Sequence, residues 1–359
     1  MNSLSPTSKI TWLIAKLFKD KDRKSIIRII GEVLYLSIVH RSIPYHYFSR
    51  YLFRKDRTNL LDYIPNKKLH RIKPHFNDPD VSEVLENKLY FNLFYEPLGI
   101  SVPKILMYNH RKMFVTGNTS VEINNSTDFR SILAELINRP ESDGSVFIKR
   151  TYGSYGGDKI FKVTSDQLAT DSLEVDNLYK EVIRAGYLFQ ETIKQHPDMC
   201  KLNPSCVNTI RFDTFIDQDG KVNVISAYLR MSINNLHVDN IGSGGCCVAV
   251  DMQTGKLKKE GYLVFQDYGG DMLTEHPVTK TVFEGFSLPY FEQAKALVIR
   301  AATLMPGLRL IGWDVAIGVS GPVLIEGNFD YDLTGNDLTE GGYRNNPVFR
   351  KVLEEIHYS

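Results

Sequence analysis

The spacing of apolar side chains predicts helices in the first part of the chain. Apolar residues recur at intervals of three and four over residues 10–18 and 25–40, which places them on one face of each helix. The predicted buried positions of the second helix are Ile26, Ile27, Ile30, Val33 and Leu34. A third helix is predicted over residues 81–98.

After residue 100 the pattern becomes one of short apolar runs separated by turn residues, which is typical of strands. Helices are predicted only from Ser126 or Thr127 and over residues 289–304. The predicted strands are 101–108, 112–116, 145–150, 159–163, 187–193, 208–217, 221–231, 246–251, 261–267, 308–319 and 322–329. This order predicts an α+β fold with large antiparallel sheets, and not a βαβ series with a nucleotide-binding G-x-G-x-x-G turn.

Composition narrows the class of protein. The chain has 359 residues, 43% of them hydrophobic and 24% charged, which excludes a disordered or disulfide-scaffold protein. Its four cysteines lack C-x-x-C spacing, so we expect free thiols and a cytoplasmic location. No apolar run reaches the roughly 18 residues of a membrane span, and we expect no signal peptide.

Charge is distributed unevenly along the chain. Residues 1–75 hold 16 Lys/Arg against 5 Asp/Glu, whereas the remainder holds 27 against 37. A basic segment of this kind favours an anionic partner, and its amphipathic helix is typical of peripheral contact with an anionic membrane at its inner face. The alternative is that these helices pack on their own domain. We expect no nucleic acid, because the body is acidic and lacks a reader motif.

A glycine-rich turn lies between the strands predicted at 145–150 and 159–163. Lys149 precedes Gly153, Gly156 and Gly157. Glycines let backbone N–H groups approach a phosphate closely, and a lysine on the strand can neutralise phosphate charge. The spacing does not match a P-loop, so an ordinary hairpin turn is the alternative interpretation.

A second motif places three oxygen-bearing side chains on the last two predicted strands. Asp314 lies on one strand, and Glu326 and Asn328 lie two residues apart on the next. Because side chains alternate along a strand, Glu326 and Asn328 share a face, and a short hairpin brings Asp314 beside them. Two carboxylates and an amide are ligands typical of Mg²⁺ in phosphoryl-transfer sites.

Two further groups are candidates for substrate contacts. Arg211 and Arg230 lie near the ends of paired strands, where they either bind an anion bidentately or form cross-strand ion pairs. Asn240, Gly244 and Gly245 lie in a polar loop that either surrounds an acceptor or is only a turn.

These motifs together resemble the ATP-grasp superfamily, and most nearly the sugar-transfer-associated ATP-grasp family. The resemblance covers roughly residues 88–328. Its marks are NKLYFNLFYEPLGISVP (87–103), FIKRTYGSYGGDKI (147–160), LFQETIKQHP (188–197), SCVNTIRF (205–212), LRMSINNLHVDNIGSGGCCVAVD (229–251), GWDVAI and GPVLIEGN.

The resemblance implies an ATP-grasp fold, in which two α+β lobes clasp ATP, here preceded by a basic helical N-terminal region. The implied division is residues 1–80 for that region, 81–140 for the N-terminal lobe, 141–195 for a small lid lobe and 196–359 for the large C-terminal lobe. No strand-rich domain is predicted before the nucleotide-binding lobes.

The resemblance also implies the roles of individual residues. Lys149 and Lys88 would contact the phosphates of ATP, Asp314, Glu326 and Asn328 would hold two Mg²⁺ ions, and Arg211 or Arg230 would steady an acyl phosphate. The turn that covers the phosphates would consist of Gly153, Ser154, Tyr155, Gly156 and Gly157. The hinge beside adenine would consist of Gln190, Glu191, Thr192 and Ile193. Lys88 as an ordinary exposed helix lysine is the alternative.

The implied activity is an ATP- and Mg²⁺-dependent carboxylate–amine ligase that forms an amide through an acyl phosphate. Its partners would be a small-molecule or glycan acceptor and an amine donor, and its context surface-polysaccharide assembly. Two alternatives are a kinase of a sugar or glycan hydroxyl and an inactive ATP-binding scaffold. A complete set of Asp314, Glu326, Asn328 and Lys149 argues against the scaffold, which needs no metal site.

Overall fold

The computed structural model of the protein describes residues 17–153, 159–170, 172–233, 245–263 and 272–357. Two antiparallel sheets organise this part of the chain, one of six strands and one of seven. The expected α+β class with large antiparallel sheets is therefore confirmed.

The N-terminal region is helical. Its helices are α1 (Ile26–His40), α2 (His46–Ser49) and α3 (Asn66–Ile72), with 3-10 turns at Leu60–Asp62 and Lys73–His75. Between residues 17 and 78 the described chain forms no strand, only isolated bridges, in agreement with the sequence. The helix predicted over residues 10–18 falls almost entirely outside the described residues.

The predicted bounds of α1 are confirmed, but its predicted buried face is wrong in part: Ile26 and Val33 pack on an apolar cluster, whereas Ile30 is exposed. Ser25 caps the helix, accepting a hydrogen bond from the Arg28 N–H at 3.3 Å. The side chains that it buries are Ile29 and Leu36, while Ile27 and Leu34 are exposed. Because apolar residues surround this helix, their period alone does not identify the packed face.

The helix predicted over residues 81–98 is broken in two. Helix α4 (Pro79–Glu86) ends at Asn87, and α5 (Lys88–Tyr95) begins directly after it. Asn87 has an extended backbone, and its side chain accepts hydrogen bonds from the N–H groups of Leu89 and Tyr90. The extended backbone with which Asn87 caps α5 cannot belong to a continuous helix, so the helix is interrupted at this residue.

The six-stranded sheet contains β1 (Ile105–His110), β2 (Met113–Thr116), β3 (Thr119–Glu122), β4 (Ser145–Arg150), β5 (Ile160–Thr164) and β6 (Gly186–Glu191). Their order is β3-β2-β1-β6-β4-β5, so one sheet joins strands from residues 81–140 and 141–195. Its core packs against α6 (Ser126–Ile137), α7 (Ser165–Thr170) and α8 (Ser172–Val182).

Several boundaries in this sheet differ from the sequence predictions. Strand β1 starts at Ile105 and not at residue 101, because Pro103 has no N–H to donate to a ladder. The cap of α6 is Asn125, which accepts from the Asp128 N–H at 2.8 Å, one residue before the predicted position. Strand β3 and helices α7 and α8 were not predicted.

The seven-stranded sheet contains β7 (Thr209–Ile216), β8 (Val222–Ser232), β9 (Gly245–Val250), β10 (Leu257–Leu263), β11 (Met272–Leu273), β12 (Leu310–Gly318) and β13 (Gly321–Asn328). Their order is β11-β10-β9-β8-β7-β12-β13. Helices α9 (Pro197–Leu202) and α10 (Phe291–Thr303) add buried side chains to the core on one face of this sheet.

The opposite face of the large sheet is covered by the two ends of the chain. Helices α11 (Thr334–Glu340) and α12 (Pro347–His357), with the 3-10 turn Tyr343–Asn345, come from the C-terminal end, which the sequence analysis left without elements. From the N-terminal region, Tyr47 and Tyr51 join one apolar cluster with Tyr228 and Tyr262 of the sheet. The N-terminal region is thus packed on the large sheet.

Among the described residues, no helix combines the length and the apolar character needed to cross a bilayer.

Candidate active site

The site begins with the hairpin of β12 and β13. Asp314 pairs with Glu326, and Gly312 pairs with Asn328. The Asn328 Nδ2 lies 3.4 Å from Asp314 Oδ2 and 3.5 Å from Glu326 Oε1. The structure therefore brings together the three side chains that the sequence selected as metal ligands.

Two arginines from neighbouring strands converge on the buried Asp314. Arg211 on β7 donates from Nε to Oδ1 at 2.5 Å and from Nη2 to Oδ2 at 3.0 Å. The Nη2 of Arg230 on β8 lies 2.9 Å from Oδ2. Burial by itself would raise the pKa of Asp314, but the charges of the two guanidinium groups outweigh it and hold that pKa well below its usual range.

Glu326 differs from Asp314 in its electrostatics. Its side chain is 30% exposed, and its charged neighbour is Lys88, whose Nζ lies 3.8 Å from Oε2. Burial and the nearby charge of Asp314 raise the pKa of Glu326, against the opposing effect of Lys88. A cation placed between the two carboxylates would relieve this repulsion.

Lys88 links the two sheets. The break at Asn87 makes it the first residue of α5, and its N–H donates to the carbonyl of Thr151 at 2.8 Å, just beyond β4. Its side chain reaches Glu326 on the large sheet. Lys88 therefore contacts the start of the glycine-rich turn through its backbone and the carboxylate pair through its side chain.

The cluster places three cations, Lys88, Arg211 and Arg230, around Asp314 and Glu326. The buried carboxyl of Asp213 also acts on Arg211, so positive and negative charges balance when all six groups are ionised. The ammonium and guanidinium groups of such a cluster are donors suited to a phosphate or a carboxylate.

The donor set fits Mg²⁺ when the amide is included. Among the described residues, no three or more His, Cys, Asp or Glu side chains form a group able to hold a metal. Asn328 is the third oxygen-bearing side chain beside Asp314 and Glu326. Rotating this amide would turn its oxygen toward the carboxylates, since oxygen and nitrogen occupy equivalent positions. Mg²⁺ commonly takes one or two carboxylates and completes its shell with water and phosphate oxygens.

The predicted phosphate-binding turn is described in part. Lys149 lies on β4 opposite Leu188 of β6, with Nζ 5.2 Å from the centre of the Phe147 ring. Gly153 has a φ of 68°, a left-handed backbone that favours glycine. Ser154, Tyr155, Gly156 and Gly157 lie outside the described residues.

The predicted adenine hinge follows β6, which ends at Glu191, so Thr192 and Ile193 lie beyond the strand. The Gln190 amide is buried and donates to Asn92 Oδ1 at 3.0 Å and to the Pro103 carbonyl at 3.1 Å. The other two polar side chains of the hinge also have protein partners: Glu191 accepts from the Lys104 N–H, and Thr192 accepts from the Ser145 hydroxyl. Because these side chains already have protein partners, this segment would contact adenine through its backbone. That contact stays a prediction.

The predicted acceptor loop is also described in part. Gly245 is the first residue of β9 and pairs with Ser232, two residues beyond Arg230 on β8. Its end of the loop is therefore next to the strand that carries one of the two arginines. Asn240 and Gly244 lie outside the described residues.

Two polar residues beside Arg211 were not predicted from the sequence. Thr209 accepts hydrogen bonds from Arg230 Nε at 3.2 Å and Nη2 at 3.0 Å, which orients that guanidinium. Asp213 is buried and accepts from the Tyr343 hydroxyl at 2.8 Å. The signal was present, because Thr209, Arg211 and Asp213 alternate with the apolar residues of β7 and so share one face.

One family model and several solved structures are similar to this chain. A family model described as sugar-transfer associated ATP-grasp matches residues 67–348, most of the chain. Among solved structures, D-alanyl-alanine synthetase A from Vibrio cholerae is similar at 14% identity over 78% of this chain and 67% of that one, with a TM-score of 0.46. N5-carboxyaminoimidazole ribonucleotide synthetase from Thermotoga maritima is similar at 11% identity over 75% and 49%, with a TM-score of 0.37.

The chain spans about half the length of the second of these proteins, and neither likeness is near enough to carry an activity over. No curated protein sequence matches the chain. The extent of the family match decides the assignment: the chain belongs to the sugar-transfer-associated ATP-grasp family.

Proposed function

We propose that the protein is an ATP- and Mg²⁺-dependent ligase that joins a carboxylate to an amine. The carrying observation is the cluster in which Lys88, Arg211 and Arg230 surround Asp314 and Glu326. Membership of an ATP-grasp family supports ATP as the energy source. The three cations of the cluster support a reaction between two anions, ATP and a carboxylate substrate.

In the proposed reaction, a carboxylate oxygen attacks the γ-phosphorus of ATP, and the bond to the bridging oxygen breaks to release ADP. The amine nitrogen then attacks the acyl phosphate carbon, the bond to the phosphate oxygen breaks, and the nitrogen loses a proton. Phosphoryl transfer of this kind depends mainly on alignment and charge neutralisation by the protein.

Different residues would bind the phosphates, the metal and the carboxylate. Lys88 and Lys149 would bind phosphate oxygens, and Asp314, Glu326 and Asn328 would hold Mg²⁺. Bound Mg²⁺ supplies charge neutralisation at the phosphates. Arg211 and Arg230, fixed by Asp314, would face the carboxylate as it becomes an acyl phosphate.

The substrates that we propose are an acidic sugar or glycan precursor and an amino acid or other amine. The family's association with sugar transfer supports a saccharide, and a uronic acid supplies the required carboxylate. Surface-polysaccharide assembly would be the biological context.

The decisive experiment is a screen of acidic sugars paired with amines for release of ADP and inorganic phosphate, with mass spectrometry of the product. The ligase should release phosphate only when both substrates are present, and the product mass should equal their sum less one water. Phosphate retained in a sugar product would indicate the kinase instead. Nucleotide binding without ADP release from any pair would support the inactive scaffold.

The same assay tests the role of Lys149. Lys149→Met should raise the KM for ATP, because the ammonium group that binds the phosphates is lost. Lys162→Met, an exposed lysine on β5 of the same sheet, is the matched control and should leave the KM for ATP unchanged. An unaltered KM in the Lys149 variant would remove that residue from the ATP site.

A further inference from the structure

Helix α1 carries a row of apolar side chains on the face that points away from the protein. Ile27 is 85% exposed, Leu34 59% and Ile38 77%. Ile30 belongs to the same row, and Ile43, three residues beyond the end of the helix, is also exposed. The opposite face of α1, with Ile29 and Leu36, packs into the apolar cluster that contains Tyr47 and Tyr51.

This row is larger than the scattered apolar residues of an ordinary protein surface. From Ile27 to Ile38 it extends about 17 Å along the helix, at about 1.5 Å per residue. A contiguous apolar surface of this kind marks a site of interaction with a protein or a membrane. In the part of the chain that the structure describes, these side chains stay open to solvent.

The charges around the row select the kind of partner. Glu32 is the only acidic residue of α1, and its side chain is 14% exposed, held by Lys24 at 2.7 Å and Arg28 at 2.8 Å. Arg28 at one end of the helix and Arg41 at the other are exposed. The outer face of α1 therefore combines apolar side chains with positive charge at both ends.

We propose that this face of α1 binds the surface of an anionic lipid bilayer. The helix would lie parallel to the membrane plane, with Ile27, Leu34 and Ile38 among the acyl chains and Arg28 and Arg41 at the phosphate groups. This geometry is that of an interfacial amphipathic helix, in which apolar burial and attraction to anionic lipid act together.

Charge also argues against a second copy of the chain as the occupant. Residues 1–75 carry 16 Lys/Arg against 5 Asp/Glu, so pairing two copies through α1 would bring two strongly basic regions together. An anionic bilayer neutralises the same charge. The proposal does not depend on the ligase activity.

The test is co-sedimentation of the full-length protein with vesicles of phosphatidylcholine alone and of phosphatidylcholine mixed with phosphatidylglycerol. The wild type should bind only the anionic vesicles, and its bound fraction should fall with added salt, since salt screens these charges. Replacing Ile27, Leu34 and Ile38 by glutamine should reduce the partition coefficient at least about tenfold, because apolar burial drives insertion. All three positions are exposed, and glutamine is a good helix former, so the fold should be retained.

The matched control replaces two exposed apolar residues elsewhere, Leu173 and Val278, by glutamine. This variant should bind vesicles like the wild type. Failure of the wild type to bind anionic vesicles at low salt would overturn the proposal, as would full binding by the α1 variant. A dimer that dissociates in the α1 variant, without vesicle binding by the wild type, would assign the face to a second copy.

Discussion

Asp314 is satisfied by protein groups before any ligand arrives. It is buried and bonded to two arginines, and the pKa of its carboxyl is held low, so it is a carboxylate at every pH at which the protein is expected to work. Glu326 is more exposed, and Lys88 lies 3.8 Å from it, while the charge of Arg230 also acts on it. Of the two carboxylates, Glu326 is therefore the one whose charge should respond most directly to a bound metal.

This difference leads to a prediction for Glu326→Gln. The amide keeps the shape of the side chain but removes the charge that would hold the metal, so we expect turnover to fall at least roughly 100-fold, the scale of lost preorganised electrostatics. The fold should be intact, since Glu326 is at the edge strand of the sheet. Glu292→Gln, an exposed carboxylate on α10, is the control. Near-normal turnover at saturating Mg²⁺ would exclude Glu326 from the site.

Asp213 provides a test of stability against pH. Burial raises its pKa to about 6, although Arg211 and two hydrogen bonds oppose the effect. The folded protein therefore keeps this proton over a range in which the unfolded chain, with a pKa near 3.8, has lost it. Asp213 should thus reduce the free energy of unfolding as pH rises, by about 3 kcal/mol over its whole titration and by about 2 kcal/mol between about pH 4 and 6.

The measurement is urea unfolding of the wild type and Asp213→Asn across that pH range. The asparagine has no proton to lose, so the variant should show a smaller decline in stability between about pH 4 and 6. Asp337, whose pKa burial also raises to about 6, remains in both proteins and accounts for a residual decline. Parallel profiles for the two proteins would contradict the assignment.

At the scale of elements, the break between α4 and α5 matters most for the site. In a continuous helix, Lys88 would lie in the interior. The break makes Lys88 the first residue of α5, and its N–H donates to the Thr151 carbonyl. The Asn87 side chain stabilises this arrangement by capping α5. The position of Lys88 in the predicted site therefore depends on Asn87. The apolar pattern over residues 81–98 continues through Asn87 and so did not predict the break.

We predict two effects of Asn87→Ala. Loss of the cap should lower the free energy of unfolding by about 1 kcal/mol. The KM for ATP should also rise, because alanine favours a continuous helix and displaces Lys88. Asn125→Ala removes the equivalent cap of α6 and should cost similar stability with no change in KM. Equal KM values in the two variants would show that the Asn87 break does not position Lys88.

Element prediction from the sequence succeeded where local patterns decide the structure. Strand β4 was predicted with its observed bounds, and β7, β8, β12 and β13 to within two residues, because alternating apolar residues and tight turns define them. The pairing of Asp314 with Glu326 followed from the same rule. The packed face of α1 and the cover of α11 were not predictable, because both depend on contacts between residues far apart in the chain.

At the scale of the whole molecule, the basic N-terminal region is part of the folded body. Arg50 lies in a buried ion pair with Asp337 of α11, Nε to Oδ2 at 3.2 Å, and donates to Asn66 at 2.8 Å. Asp337 also accepts from the N–H groups of Ile64 and Tyr343. This one carboxylate therefore connects the N-terminal region, α11 and the turn after it.

The last prediction concerns the removal of that connection. Arg50→Met should lower the free energy of unfolding at neutral pH by roughly 3–5 kcal/mol, because it leaves a buried charge without its partner. The loss should be smaller near pH 5, since Asp337, whose pKa is already raised by burial, can then be neutralised by protonation. Combining Arg50→Met with Asp337→Asn should recover much of the stability, because neither charge remains.

The control is Lys201→Met, which breaks an exposed ion pair with Asp198 and should lower the free energy of unfolding by at most about 1 kcal/mol. If Arg50→Met costs no more than this control in urea unfolding, the ion pair does not fasten the N-terminal region to the large sheet, and the apolar cluster of Tyr47 and Tyr51 would have to hold it alone.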